Sequence, residues 1–189
     1  MSDRDPYMPA AAFGAQVEKN GDQWMLVLTR DLRHPPAMVW NALTDPQQLR
    51  EWAPFDADRS LAMVGAVTLS TVGAPSPQVC VSQVKRADAP RSLEYNWGGQ
   101  DIRWELEPWQ GGTRLTLWHN IDRRFISMGA AGWHICLDVL ERAIDGHPIG
   151  RIVGVDALHF AGWQRLNAEY AKQFGVEAPG NWPPRNPGA

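Results

Sequence analysis

Residues Ser92–Ile121 read SLEYNWGGQDIRWELEPWQGGTRLTLWHNI, and this stretch decides the fold. Glycine pairs at Gly98-Gly99 and Gly111-Gly112 divide it, and such pairs supply the left-handed backbone of tight hairpins. Three strands are expected: Ser92–Trp97, Ile102–Trp109 and Thr113–Ile121. Successive strand residues point to opposite faces. Leu93, Tyr95 and Trp97 oppose Glu94 and Asn96. Ile102, Trp104 and Leu106 oppose Arg103, Glu105 and Glu107. Leu115, Leu117, His119 and Ile121 oppose Arg114, Thr116 and Asn120. One face is apolar and aromatic and the other polar, the pattern of an antiparallel meander packed on one side. Trp118 departs from it by falling on the polar face.

Upstream, Val79–Lys85, Ala66–Val72 and Ser60–Met63 read as further strands, with Gly73-Ala74-Pro75-Ser76-Pro77 as a loop and Ala89-Pro90 as a turn. Gln23–Leu32 (QWMLVLTRDL) is apolar and β-branched enough for an opening strand. Pro36 then starts a helix, since proline suits the first helical position. Thr44-Asp45-Pro46 interrupts it, and Asp45 can cap a second short helix that carries Leu49 and Trp52. Downstream, Gly129, Trp133, Cys136, Leu137, Leu140 and Ile144 recur at helical spacing, which predicts a helix over 125–145 ended by Gly146 and Pro148. The same spacing over Val155, Leu158, Gly162, Leu166, Tyr170 and Phe174 predicts one more helix over 155–174, with Gly175 past its end. Composition shifts set the expected boundaries: a loosely ordered N-terminal arm over 1–21, one domain over 22–175 and a proline-rich tail over 176–189.

The chain has 189 residues, 44% hydrophobic and 21% charged, with a net charge of -3. A chain of this size buries roughly 70% of its unfolded surface, so one domain can build its own core. No apolar run reaches about 18 residues, so no transmembrane helix and no membrane partner are expected. MSDRDPYMPA lacks an apolar signal region, and Cys80 and Cys136 cannot build a disulfide scaffold, so the expected location is cytoplasmic. Mild acidity argues against nucleic acid as a partner. Ten tryptophans are present, five of them at Trp97, Trp104, Trp109, Trp118 and Trp133. Tryptophan suits ligand-pocket walls, but it also fits strands simply by packing.

Strand, two short helices, antiparallel meander and long C-terminal helix is the element order of the helix-grip fold. The chain resembles the SRPBCC (START-like, Bet v 1-like) superfamily, and within it the bacterial proteins related to the activator of Hsp90 ATPase. Four segments carry the resemblance: Arg30–Trp52 (RDLRHPPAMVWNALTDPQQLREW), Leu93–Trp97 (LEYNW), Gly112–His119 (GTRLTLWH) and Gly132–Leu140 (GWHICLDVL). The similarity covers roughly residues 24–145. Beyond them, Gly162–Gly175 is similar to the end of the eukaryotic Hsp90-activator domain. The resemblance implies an α+β fold in which a curved antiparallel sheet wraps a long C-terminal helix, with an extra C-terminal helix outside. The helix over 125–145 is expected in the grip, because it follows the last strand directly. The resemblance also implies a cavity between sheet and helix that takes lipids, sterols or polyketides. Some relatives catalyse cyclisation or hydrolysis there, and fold alone does not assign function.

Trp52, Tyr95, Trp97, Trp104, Leu106, Leu117, His119, Trp133, Leu137 and Leu140 are the inward candidates for ligand binding. They would either line a pocket for an apolar or aromatic small molecule or fill an ordinary core. His119 would act as a general acid or base, with Tyr95 or Arg103, in a cyclase/aromatase-like or hydrolytic enzyme; otherwise it is a neutral, hydrogen-bonded histidine. His134 and Asp138 lie one helical turn apart and read first as a solvated ion pair, or else as an imidazole oriented by a carboxylate. Arg30 and Arg103 would meet an anionic group or simply stand on the surface. No HExxH, cysteine cluster, GxSxG or phosphate loop is present, so no metal and no cofactor are expected and both cysteines read as packed thiols. Trp118 would anchor a homodimer or be covered by the extra helix. The leading reading is a small-molecule binder. The alternatives are the His119 enzyme and a chaperone-associated, Hsp90-activator-like interaction module.

Overall fold

In the computed structural model, which describes residues 7–76 and 78–179, the strands expected from Ser92–Ile121 form the middle of one sheet. Eight strands make it up: β1 (Ala15–Asn20), β2 (Gln23–Leu32), β3 (Phe55–Ala57), β4 (Gly65–Thr71), β5 (Gln78–Asp88), β6 (Ser92–Trp97), β7 (Gln100–Trp109) and β8 (Gly112–Asn120). Their order is β1-β2-β8-β7-β6-β5-β4-β3, and every neighbouring pair is antiparallel. The register lines the apolar positions up across strands. Leu93 faces Trp104, which faces Leu117, which faces Leu28; Tyr95 faces Ile102, which faces His119, which faces Leu26. Such cross-strand rows hold a sheet together and give it one apolar face. A register shift between Val84 and Arg86 in β5 bends the sheet, as an extra residue in one strand does.

That face is covered by helices. Pro36 and Pro46 open α1 (Pro36–Thr44) and α2 (Pro46–Trp52). Asp45 caps α2 as expected, its carboxylate accepting the Gln47 and Gln48 amides at 2.8 and 3.2 Å. The Trp52 indole N–H donates to the Ala42 carbonyl at 2.9 Å and ties α2 to α1. After a 3-10 turn at Arg123–Phe125, α3 (Ile126–Ile144) lies in the grip. It is buried on nearly all sides, from Ile126 through Trp133, His134 and Cys136 to Leu140. A helix apolar all round needs cover on both flanks. The sheet supplies one flank, and α5 (Ala161–Phe174) supplies much of the other.

Three expectations are corrected. Ser60–Met63 is not a strand; the strand in this region is Phe55–Ala57, which pairs with β4. The stretch expected as a loose arm holds β1, whose six residues pair with β2, and residues from Tyr7 onward pack on α3 and α5. Its first residues, 1–6, lie outside the described part, as do Pro77 and 180–189 of the expected tail. The expected helix over 155–174 is two: α4 (Gly154–Leu158) and α5, parted at His159-Phe160. The Val155 amide binds the Gly73 carbonyl at 2.9 Å, so α4 is docked on the loop between β4 and β5. Gly73 and Gly154 both have positive φ, and a Cβ on Gly154 would run into the Gly73 backbone, so this contact requires glycine.

Candidate functional site

The structure brings the aromatic candidates together against α3. Trp104 stands edge-on to both Trp52 and Trp133, with ring centroids 6.2 and 5.5 Å apart. Trp133 also meets Trp97 at 6.3 Å and His119 at 5.8 Å. Edge-to-face pairs of this kind add to the burial of large apolar surfaces. Leu106, Leu117, Leu137 and Leu140 lie buried in the same core. Of the ten candidates only Trp97 is half-buried; the other nine are buried.

Each indole N–H in this cluster has a partner. Trp104 donates to the Tyr95 hydroxyl at 3.0 Å, Trp97 to the Thr71 hydroxyl at 3.1 Å and Trp133 to His119 Nδ1 at 2.8 Å. The last bond fixes the state of His119. An indole only donates, so Nδ1 holds a lone pair and the ring proton sits on Nε2. Nε2 then donates to Gln100 Oε1 at 2.9 Å. Both ring nitrogens are engaged, and burial pushes the His119 pKa down to about 3. His119 is therefore a neutral, structural histidine. Tyr95 is likewise held protonated by burial, which raises its pKa. Arg103, the other candidate partner, lies on the opposite face of the sheet, its guanidinium carbon 4.0 Å from the Trp118 ring centre.

His134 and Asp138 depart from the solvated pair expected. His134 is fully buried, and its Nε2 stands 3.6 Å from Asp138 Oδ2, beyond hydrogen-bond reach. Tyr170 donates to the Phe13 carbonyl at 3.1 Å, so His134 Nδ1–H donates to the Tyr170 oxygen at 2.7 Å. Tyr7 donates to Asp138 at 2.6 Å. Burial lowers the His134 pKa to about 3, helped by the Arg30 and Arg165 charges, and burial raises that of Asp138. Arg30, expected at the surface or at an anionic group, is buried beside them. Cys136 is a buried thiol pushed up to about 12 by desolvation, which makes it unreactive.

Sequence reading missed Phe55, Gln100, Tyr7 and Tyr170 as members of these clusters. Phe55 sits edge-on to Tyr95 at 5.9 Å and meets Trp97 at 5.2 Å. Nothing local marks it, because its strand has only three residues. Arg30 did carry a signal: it shares parity with Leu26, Leu28 and Leu32 in β2. Trp118 lies on the sheet face away from α3, half-buried under Arg103, so the extra helix does not cover it. A groove of about 440 Å³ runs along this outer face past Trp24, Arg103 and Trp118, and of the ten candidates only Tyr95 is among its lining residues. Among the described residues no group of three or more His, Cys, Asp or Glu could hold a metal ion, and no helix is long and apolar enough to cross a membrane.

Solved structures with this architecture have little sequence in common with the chain. A conserved protein of unknown function from Enterococcus faecalis has 16% identity and a TM-score of 0.64, over 86% of this chain and 92% of that one. CalU16 from Micromonospora echinospora has 20% identity and a TM-score of 0.60, over 88% and 96%. An AHSA1-like protein from Aeromonas hydrophila has 16% identity and a TM-score of 0.54, over 65% and 92%. At these identities the likeness establishes the helix-grip fold. No curated protein matches the sequence. The family model described as "Activator of Hsp90 ATPase homolog 1-like protein" matches residues 33–145, from the turn before α1 to the end of α3. With more than half of its length matched over the elements that form the grip, the chain belongs to the Activator of Hsp90 ATPase homolog 1-like protein family.

Proposed function

We propose that the protein binds an apolar or aromatic small molecule between the sheet and α3, with Trp52, Tyr95, Trp97, Trp104, Leu106, Leu117, His119, Trp133, Leu137 and Leu140 around it. The observation that carries this reading is the position of Trp97. It is the one half-buried member of the ten, and it contacts Phe55, His119 and Trp133. The ligand enters by displacing Trp97, because the inner rings pack on one another. His119 serves as a wall and not as an acid or base, since both its nitrogens are bound and it is neutral.

Native mass spectrometry of the purified protein, followed by tryptophan fluorescence during titration with fatty acids, sterols and flat aromatic compounds, tests the proposal. A co-purifying mass, or saturable quenching by one class that Trp97→Ala changes at least several-fold, is expected. Neither response in the wild type would overturn it. The second reading, an interaction module, would then lead. Val79 and Val81 favour it, standing 63% and 74% exposed on β5; their replacement by Thr would be expected to weaken partner capture.

A further inference from the structure

Arg30 is a buried arginine with two donor nitrogens that make no hydrogen bond. It lies on the inward face of β2, opposite Leu115 of β8, and is only 6% exposed. Its Nη1 makes long contacts to the Phe13 and Thr29 carbonyls, at 3.4 and 3.3 Å. Its Nε and Nη2 are buried and have no hydrogen-bond partner. Among the described residues no carboxylate forms an ion pair with it. Nε and Nη2 share one edge of the guanidinium, and their parallel N–H bonds match the two oxygens of a carboxylate. Arg114 uses this same edge on the surface, donating from Nε and Nη2 to the two Asp31 oxygens at 2.8 and 2.9 Å. In Arg30 this edge is desolvated and makes no hydrogen bond; the Tyr170 hydroxyl lies beside the guanidinium, and the Asp138 carboxylate acts on it only through its charge.

The surroundings are buried and aromatic. His134 Nε2 is also buried without a partner. The Phe13 ring lies 4.0 Å from the Arg30 guanidinium carbon and edge-on to His134 at 5.3 Å. Residues 7–14 form the cover, held at several points. Tyr7 bonds Asp138 at 2.6 Å, the Ala12 amide bonds Glu169 at 2.8 Å, Arg165 binds the Pro9 carbonyl, and the Thr29 amide bonds the Gly14 carbonyl at 2.8 Å.

We propose that Arg30 receives the carboxylate of a small organic acid on Nε and Nη2, in a site between β2, α3 and α5 that opens when Phe13 and its flanking residues lift. The site is separate from the aromatic cluster and stands whether or not a molecule binds there. A carboxylate is favoured over phosphate because it is planar and carries a single charge, which one guanidinium neutralises.

The test follows the arginine Nε–H resonances of 15N-labelled protein during titration with sodium benzoate, acetate and phosphate at constant ionic strength. One resonance, absent from Arg30→Lys, is expected to shift saturably with benzoate. Lysine keeps the charge and loses the paired donors. Tyr7→Phe loosens the cover without touching the guanidinium, and it is expected to lower the apparent Kd for benzoate two- to ten-fold. This wild-type comparison stands even if Arg30→Lys folds poorly. The proposal is overturned if no arginine Nε–H responds in either wild type or Tyr7→Phe, if Arg30→Lys binds benzoate equally well, or if phosphate binds more tightly than benzoate. A crystal structure grown with benzoate that shows only ordered water on both nitrogens would also overturn it.

Discussion

His119 is the residue whose chemistry changes most between sequence and structure. In the sequence it is a histidine on an apolar face; in the fold it is an acceptor for Trp133 and a donor to Gln100. A second ring proton would break the Trp133 bond, and burial opposes the charge. The consequence for stability has a definite sign. In the unfolded chain the imidazole titrates near 6.5, whereas in the fold it titrates near 3. Between these values the unfolded state binds a proton that the folded state does not. Stability is therefore unaffected by this group above pH 6.5 and declines as pH falls from there towards 3, by about 1.4 kcal/mol per pH unit. His134 acts in the same direction. Urea unfolding at several pH values checks this. His119→Gln retains one donor and one acceptor and should flatten the decline by one proton; superimposed profiles would show that His119 is not held neutral. His119→Ala should lower stability by about 2–4 kcal/mol, because it leaves both a cavity and a stranded indole N–H.

Elements formed where local chemistry and packing agreed. Asp45 is flanked by Pro46 and followed by two amides that its carboxylate caps, so α2 was legible. Asp45→Ala is expected to cost about 1 kcal/mol and Asp45→Asn much less, measured by chemical denaturation. Equal losses would mean that the side chain caps nothing. The C-terminal helix is the contrary case. Its apolar spacing runs unbroken from Val155 to Phe174, with no proline inside. The break at His159-Phe160 comes from two docking contacts: Val155 on Gly73, and Gly162 packed too closely on Pro9 and Phe160 to admit a side chain. Neither contact can be read from a period. β1 was missed for a related reason: its residues are mostly exposed, and its place is set by the ladder to β2.

At the scale of the molecule, the cover over Arg30, α5 and the grip share one set of buried residues, from Trp104 and Trp133 through Ile135 to Leu166 and Tyr170. Heat or urea should therefore unfold the described body in a single transition, with far-UV circular dichroism and tryptophan fluorescence coinciding. An earlier, separate loss of α5 would show that it is only loosely attached. By itself the sequence determined the meander, its inward and outward faces, the capped helix pair and the long helix that follows the last strand. Those features arise from period-2 and period-3.6 patterning and from proline and glycine backbone limits, all of which act between near neighbours in the chain. Tertiary structure alone decided what the inward polar groups do. Whether His119 titrates, whether His134 meets Asp138 and whether Arg30 is exposed depend on Gln100, Trp133, Tyr7, Phe13 and Tyr170. Most of these lie far along the chain, and only burial against them fixes the charge and hydrogen bonds of each group.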